Sequence, residues 1–197
     1  MVKIIDIILG PMFSGKTSKI LQIINYAKQN PNNLVITVKP DIDNRYEEDT
    51  NKHHIISHDG LKEECFVVNE LNKMIKIIIK EKNKINKPID DLVIIIDESQ
   101  FFKNLIEFCD NIFDISDTFN ANNIKLVFSG LDGDFEKKPI GEILSLIPIC
   151  DSIIKLNGKC KYCNNKSIMS KRTCQSKSQV LIGGNDLYQP TCRIHHS

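Results

Sequence analysis

Lys3-Ile4-Ile5-Asp6-Ile7-Ile8-Leu9-Gly10-Pro11-Met12-Phe13-Ser14-Gly15-Lys16-Thr17 places a glycine-rich loop between an apolar run and a helical pattern. Its first half is a short, Ile-rich apolar run that ends at Gly10 and Pro11, the pattern of a buried strand. After the glycine loop, Ile20, Ile23, Ile24 and Ala27 recur at helical spacing, so residues 17–29 read as an amphipathic helix. Between strand and helix, Gly10 to Thr17 fits G-x-x-x-x-G-K-[ST]. The chemistry explains the spacing. Backbone N–H groups of such a loop, namely those of Met12, Phe13, Ser14 and their neighbours, point inward at phosphate oxygens, and the helix presents its positive end. Gly10 and Gly15 admit a close approach and backbone angles that a Cβ would obstruct. Lys16 is placed to reach the β- and γ-phosphates, and the Thr17 hydroxyl to ligate Mg²⁺.

Working outward, residues 34–38 read as a second strand and 40–60 as mostly loop, with a short strand at 65–68. Leu71, Met74, Ile75 and Ile78 mark a helix that fades into the lysine-rich stretch 80–87. Residues 92–96 form a continuous apolar strand, Leu105, Phe108, Cys109 and Ile112 a third helix, and 124–128 a further strand. Strands apolar on both faces, alternating with helices, describe an α/β fold: a parallel sheet of the P-loop NTPase type covered by helices. In such sheets ligands lie beyond the C-terminal strand ends. From Asp151 onward Cys, Lys, Asn and Gly replace the apolar runs. The expected organisation is a nucleotide-binding domain at 1–150 and a small zinc-binding domain at 151–197.

Asp97-Glu98 closes the strand at 92–96. An acid there, downstream of a phosphate loop, is the usual second holder of Mg²⁺, a role that suits Asp97. Glu98 is the candidate general base, able to reach an acceptor hydroxyl or a water in the same cleft. Cys160-Lys161-Tyr162-Cys163 and Cys192-Arg193-Ile194-His195 are two ligand pairs with the spacing of a tetrahedral zinc site. Four protein ligands leave no open position, so that zinc is structural. Cys174 and His196 are rival ligands, ranked lower on spacing. Cys65, Cys109 and Cys150 sit in or beside apolar runs and read as core residues.

Composition limits the alternatives. The chain has 197 residues, 26% of them charged, with a formal net charge of +1. That balance argues against a nucleic-acid coat or a binder of anionic membranes. No apolar run approaches a membrane span, and the first residues lack the pattern of a signal peptide, so a cytoplasmic location is expected. On these motifs alone two readings stay open beside a phosphotransferase. One is an ATPase in which Glu98 activates water and the zinc unit binds a partner or nucleic acid. The other is a nucleotide-binding structural protein without turnover.

Beyond single motifs, the chain resembles the thymidine kinases of the cellular, bacterial and poxvirus type. The phosphate loop reads Gly-Pro-Met-Phe-Ser-Gly-Lys-Thr, as that family writes it. Asp97-Glu98-Ser99-Gln100-Phe101-Phe102 follows the family's Asp-Glu-x-Gln-Phe-Phe, and Asp43-Asn44-Arg45-Tyr46 resembles its Asp-x-Arg-Tyr, followed by Ser57-His58-Asp59-Gly60. Leu131-Asp132-Gly133-Asp134-Phe135 with Lys138-Pro139-Ile140-Gly141 matches the next block. Cys160, Cys163, Ile182-Gly183-Gly184, Tyr188, Cys192 and His195 match the zinc and lasso region.

The resemblance implies that Glu98 deprotonates the 5′-hydroxyl of thymidine for attack on the γ-phosphate of ATP. It implies that the phosphate loop, Asp43, Asn44, Arg45, Asp97 and Gln100 bind ATP with Mg²⁺. Met12, Phe101, Leu131, Phe135 and Ser170 would line the nucleoside pocket, and Gln179, Val180, Leu181, Ile182, Gly183 and Tyr188 would close over the base as a zinc-anchored lasso. It further implies a homotetramer inhibited by thymidine triphosphate, acting in nucleotide salvage for DNA synthesis. Ile140 stands where many relatives have an aromatic and Ser170 where Thr is usual, which implies a roomier pocket. The connection at 80–87 is longer than in most relatives.

Overall fold

The structure is a computed structural model that describes residues 1–42, 53–57 and 60–196. The motif residues Asp43, Asn44, Arg45, Tyr46, His58 and Asp59 lie outside the described residues.

The chain opens with β1 (Val2–Leu9), α1 (Lys16–Ala27) and β2 (Leu34–Pro40), then β3 (His53–Ile56), β4 (Lys62–Val68) and α2 (Asn72–Asn83). It continues through β5 (Ile89–Ile96), α3 (Leu105–Asp114), β6 (Ala121–Gly130) and, after a 3₁₀ turn at Ile143–Ile149, β7 (Ser152–Lys155). These strands form one sheet in the order β3-β4-β2-β5-β6-β1-β7, parallel throughout except where β3 runs against β4.

Both faces of the central strands are apolar, and alternate residues serve opposite layers. Ile7, Ile94, Ile96, Leu126 and Phe128 face α2 and α3, meeting Met74, Ile78, Phe108 and Ile112. Ile8, Val93, Ile95 and Val127 face α1, meeting Ile20, Leu21 and Ile24. This is why the strands read as unbroken Ile and Val runs. Burying one such side chain contributes about 1.5–3 kcal/mol, so the central strands hold the fold.

The central strands β5, β6 and β1 are neighbours and finish at the same edge. Leu9 pairs with Gly130, and Ile96 with Phe128. The phosphate loop, the Asp97-Glu98 pair and the segment from Leu131 therefore leave the sheet side by side, as expected for parallel strands.

Two features differ from the sequence reading. The stretch 40–60 contains β3, which pairs antiparallel with β4, His53 opposite Cys65. A four-residue edge strand takes its conformation from its partner and carries too little pattern to be seen alone. The sheet also continues past residue 150. Ser152–Lys155 pairs in parallel with β1, and Asp151 binds its backbone, accepting the Ile5 N–H on Oδ2 at 2.7 Å. All four residues of β7 are exposed, so no buried apolar run announced it.

The remaining chain forms two hairpins: β8 (Gly158–Lys159) with β9 (Lys166–Ser167), and β10 (Met169–Arg172) with β11 (Tyr188–Thr191). The long connection from β10 to β11, residues 173–187, is tied at its base by Thr173 N–H to the Leu187 carbonyl at 2.9 Å.

Candidate active site

The phosphate loop is built by what its glycines leave out. A Cβ on Gly10 would lie 2.6 Å from Ser14 Oγ and 2.8 Å from the Leu156 carbonyl oxygen. Gly15 caps α1 at φ +84 with open space around it, so there the requirement is the left-handed backbone, not room. No side chain caps α1, which leaves its first N–H groups open to an anion. Lys16 is buried and its ammonium donates to the carbonyls of Gly10 and Pro11 at 3.1 and 3.0 Å. The cation is thus folded over its own loop, where an incoming phosphate can exchange for carbonyl oxygens.

At the end of β5, Asp97 is buried and accepts the Glu98 N–H at 2.9 Å. Burial, then the neighbouring Glu98 charge, pushes its carboxyl up to about 7; that N–H and the Lys16 cation offset only part of the rise. Glu98 has left-handed backbone angles, φ 50 and ψ 40, that turn the chain sharply out of the strand. Its Oε2 accepts a 2.6 Å hydrogen bond from Gln100 Nε2, while Gln100 Oε1 accepts the Leu131 N–H at 3.0 Å. The backbone donor at Leu131 fixes which end of the amide faces the carboxylate. Glycines make the space: a Cβ on Gly130 would meet Gln100 Oε1 at 2.4 Å, and one on Gly141 the Gln100 carbonyl at 2.0 Å.

One cleft joins these groups. Met12, Phe13, Ser14, Gly15, Lys16 and Thr17 line it together with Glu98 and Gln100. Phe101, Leu131, Phe135 and Ser170 also line it, as do Gln179, Val180, Leu181, Ile182 and Gly183 from the 173–187 connection and Tyr188 at the start of β11. Gly10, Pro11 and Asp97 do not line it. Gly10 and Pro11 present carbonyls to Lys16, and Asp97 is buried behind Glu98. Ser170 Oγ accepts the Met12 N–H at 2.9 Å and so ties the second hairpin to the phosphate loop. Ile140, singled out as a departure from the family pattern, is buried in the wall.

Sequence reasoning missed Ser18, Ile56, Gly133 and, above all, Asp134. The buried Asp134 carboxylate accepts the N–H groups of Glu136 and Lys138 on Oδ1, both at 2.9 Å, and Gln179 Nε2 on Oδ2 at 2.9 Å. It thereby fastens the long connection to the loop after β6. The Leu131–Phe135 block contained it, but its partner lies 45 residues away, beyond any local pattern.

The cysteine prediction gains geometry. The ligand atoms of Cys160, Cys163, Cys192 and His195 all lie within 4.8 Å of one another. Cys163 and Cys192 sulfurs are 3.8 Å apart, and His195 Nδ1 is 3.7 Å from Cys160 and 3.4 Å from Cys192. Tetrahedral Zn–S bonds of ~2.3 Å place sulfurs ~3.8 Å apart, so the donor set fits zinc in both type and spacing. Burial opposes ionisation of Cys160, but the N–H groups of Cys192, Tyr162 and Cys163 and the His195 ring outweigh it and draw the thiol down to about 6. The rivals stand apart from the cluster. Cys174 is exposed. His196 is engaged elsewhere, with Nε2 3.0 Å from the Phe135 carbonyl and Nδ1 3.2 Å from Thr191 Oγ1. A carbonyl only accepts, so Nε2 carries the proton and Nδ1 accepts from Thr191.

Comparison with known proteins agrees with this geometry. The family model described as thymidine kinase matches residues 3–196. A thymidine kinase of Choristoneura biennis entomopoxvirus is 38% identical over 195 residues, covering 96% of this chain and 94% of that protein. A thymidine kinase of Oryza sativa subsp. japonica is 34% identical over 193 residues, covering 98% of this chain and 65% of the rice protein. A thymidine kinase of vaccinia virus, strain Western Reserve, is 34% identical over 190 residues, covering 96% of this chain and 94% of the viral protein.

Proposed function

The chain belongs to the thymidine kinase family, whose known activity is phosphorylation of thymidine, and from that premise we propose that it transfers the γ-phosphate of ATP to the 5′-hydroxyl of thymidine. The observation that carries the reading is one cleft lined together by the phosphate loop, by Glu98, whose carboxylate Gln100 orients, and by Phe101, Leu131 and Phe135.

In this mechanism the triphosphate lies along the phosphate loop, its oxygens taking the N–H groups of residues 12–17 and the Lys16 ammonium. Glu98 accepts the proton of the 5′-hydroxyl as the oxygen attacks the γ-phosphorus. The bond to the β–γ bridging oxygen breaks, and ADP leaves. The Thr17 hydroxyl and the Asp97 carboxylate would hold Mg²⁺ through hard oxygen atoms, and a cation there would favour the ionised form that burial opposes. When bound, Mg²⁺ neutralises charge on the phosphate oxygens. Asp43, Asn44 and Arg45 complete the phosphate contacts. Phe101, Leu131 and Phe135 hold the base, and residues 179–183 with Tyr188 cover it. Zinc at Cys160, Cys163, Cys192 and His195 anchors that cover, as the smaller of two parts of the chain.

Cytoplasmic location, assembly as a homotetramer and inhibition by thymidine triphosphate belong to the same proposal. Among the described residues no helix is long and apolar enough to cross a membrane.

Glu98→Gln tests the central role. The variant keeps the shape and a hydrogen-bonding amide but cannot take the proton. The kcat should fall by ~10²–10⁴ while ATP and thymidine still bind. A kcat close to the parent's across pH removes Glu98 from the mechanism.

A further inference from the structure

Arg172, at the end of β10, is buried and does not line the cleft, yet it touches Gln179, Tyr188 and Phe135, which do. Its guanidinium donates through Nη1 to the carbonyls of Ser176, at 3.1 Å, and Ser178, and through Nη2 to that of Gln179 at 3.2 Å. Nη2 also donates to the Tyr188 hydroxyl at 2.5 Å. That hydroxyl, with its acceptor site occupied, donates in turn to the Leu181 carbonyl at 2.9 Å. The guanidinium carbon lies 3.8 Å over the Phe135 ring and 5.1 Å over the Tyr188 ring, and both rings line the cleft.

We infer that Arg172 is the positioning residue of the nucleoside site: it sets the peptide planes of residues 176–182 and backs the two aromatic walls. The peptide bonds are trans, and in a trans peptide the N–H points opposite to the C=O. Carbonyls of Ser176, Ser178, Gln179 and Leu181 drawn to one guanidinium–phenol pair turn the N–H groups of Lys177, Gln179, Val180 and Ile182 to the opposite side. A connection of this length without regular structure would otherwise leave those planes free to rotate. Fixed planes offer a pyrimidine edge a set array of donors, and fixed rings offer its faces a slot of set width. Only a planar fork can do both at once. A lysine at this position keeps the charge but has neither the flat face nor the divergent N–H groups.

The inference rests on the kinase reading for its ligand, and the experiment separates the two. Arg172→Lys and Arg172→Met are compared with the parent by steady-state kinetics, zinc content and amide hydrogen exchange. Charge-assisted hydrogen bonds of this number predict a thymidine KM raised about tenfold or more in both variants. The kcat at saturating thymidine should stay within about threefold and the ATP KM should not move, because the phosphate loop is untouched. Exchange should quicken across 176–183 and not in β1, β5 or β6, with zinc retained. A thymidine KM within about twofold of the parent, full rescue by lysine, or an ATP KM that rises in step overturns the assignment. If the parent itself does not phosphorylate thymidine, the kinase reading fails, and the exchange rates at 176–183 alone judge Arg172.

Discussion

Asp97 and Glu98 are adjacent acids to which the proposed mechanism gives opposite tasks, and burial separates them. The Asp97 carboxyl is raised from its ordinary 3.8 to about 7 because burial disfavours its charge and Glu98 adds to the cost. In the ligand-free chain the folded state therefore holds a proton that the unfolded state releases between those two values. Stability falls as pH climbs through that window, since the folded state binds more protons than the unfolded. Asp97→Asn removes this loss. Ligand-free Asp97→Asn should gain on the parent in urea melts as pH rises from about 4.5 to about 7.5, while losing turnover. Parallel pH profiles for parent and variant would show that Asp97 ionises freely in the fold. At this scale the sequence was informative where chemistry is local. The Gly-Lys-Thr loop and the acidic pair could be read directly because their partners are within a few residues. Gln100, which lines the cleft, also bridges Glu98 and the Leu131 N–H through its amide; that bridge depends on β5 and β6 lying together and was not legible in the sequence.

The elements divide in the same way. Strands β1, β5 and β6 and helices α1, α2 and α3 were legible because each buries a periodic apolar face. Strands β3, β7, β8, β9, β10 and β11 were not, because they are two to four residues long and take their register from a partner. In the C-terminal hairpins a zinc held by Cys160, Cys163, Cys192 and His195 would replace the core that such short strands cannot form. Cys160→Ser should therefore lose zinc and loosen both hairpins and residues 173–187 together. Thymidine affinity should drop while ATP affinity is retained, since the loop at 10–17 is fixed by β1 and α1. Metal analysis with separate titrations of the two ligands checks this. Zinc retained in Cys160→Ser, or lost in Cys174→Ser and kept in His195→Ala, would contradict the ligand set.

Across the whole molecule, one cleft is lined both by residues that follow the central strands and by residues 170–188, and in the proposed mechanism the former supply phosphate chemistry and the latter the cover. Specific contacts among the described residues join them. Ser170 holds the Met12 N–H, Gln179 holds Asp134, and His196 holds the Phe135 carbonyl. In the proposed mechanism base choice is a property of this joint, with backbone groups in fixed planes reading the pyrimidine edge. Thymine presents O4 and N3–H; cytosine reverses both, leaving mispaired buried groups at about 1–3 kcal/mol each. Deoxyuridine lacks only the methyl, a loss of about 1–3 kcal/mol, and remains a substrate. The measurement that tests the account most directly follows label from [γ-³²P]ATP with Mg²⁺ and, in turn, thymidine, deoxyuridine, deoxycytidine and deoxyguanosine. The account predicts label in thymidine monophosphate in step with ADP, less in deoxyuridine monophosphate, and little in the other two. Label released only as free phosphate, at a rate indifferent to thymidine, would contradict it.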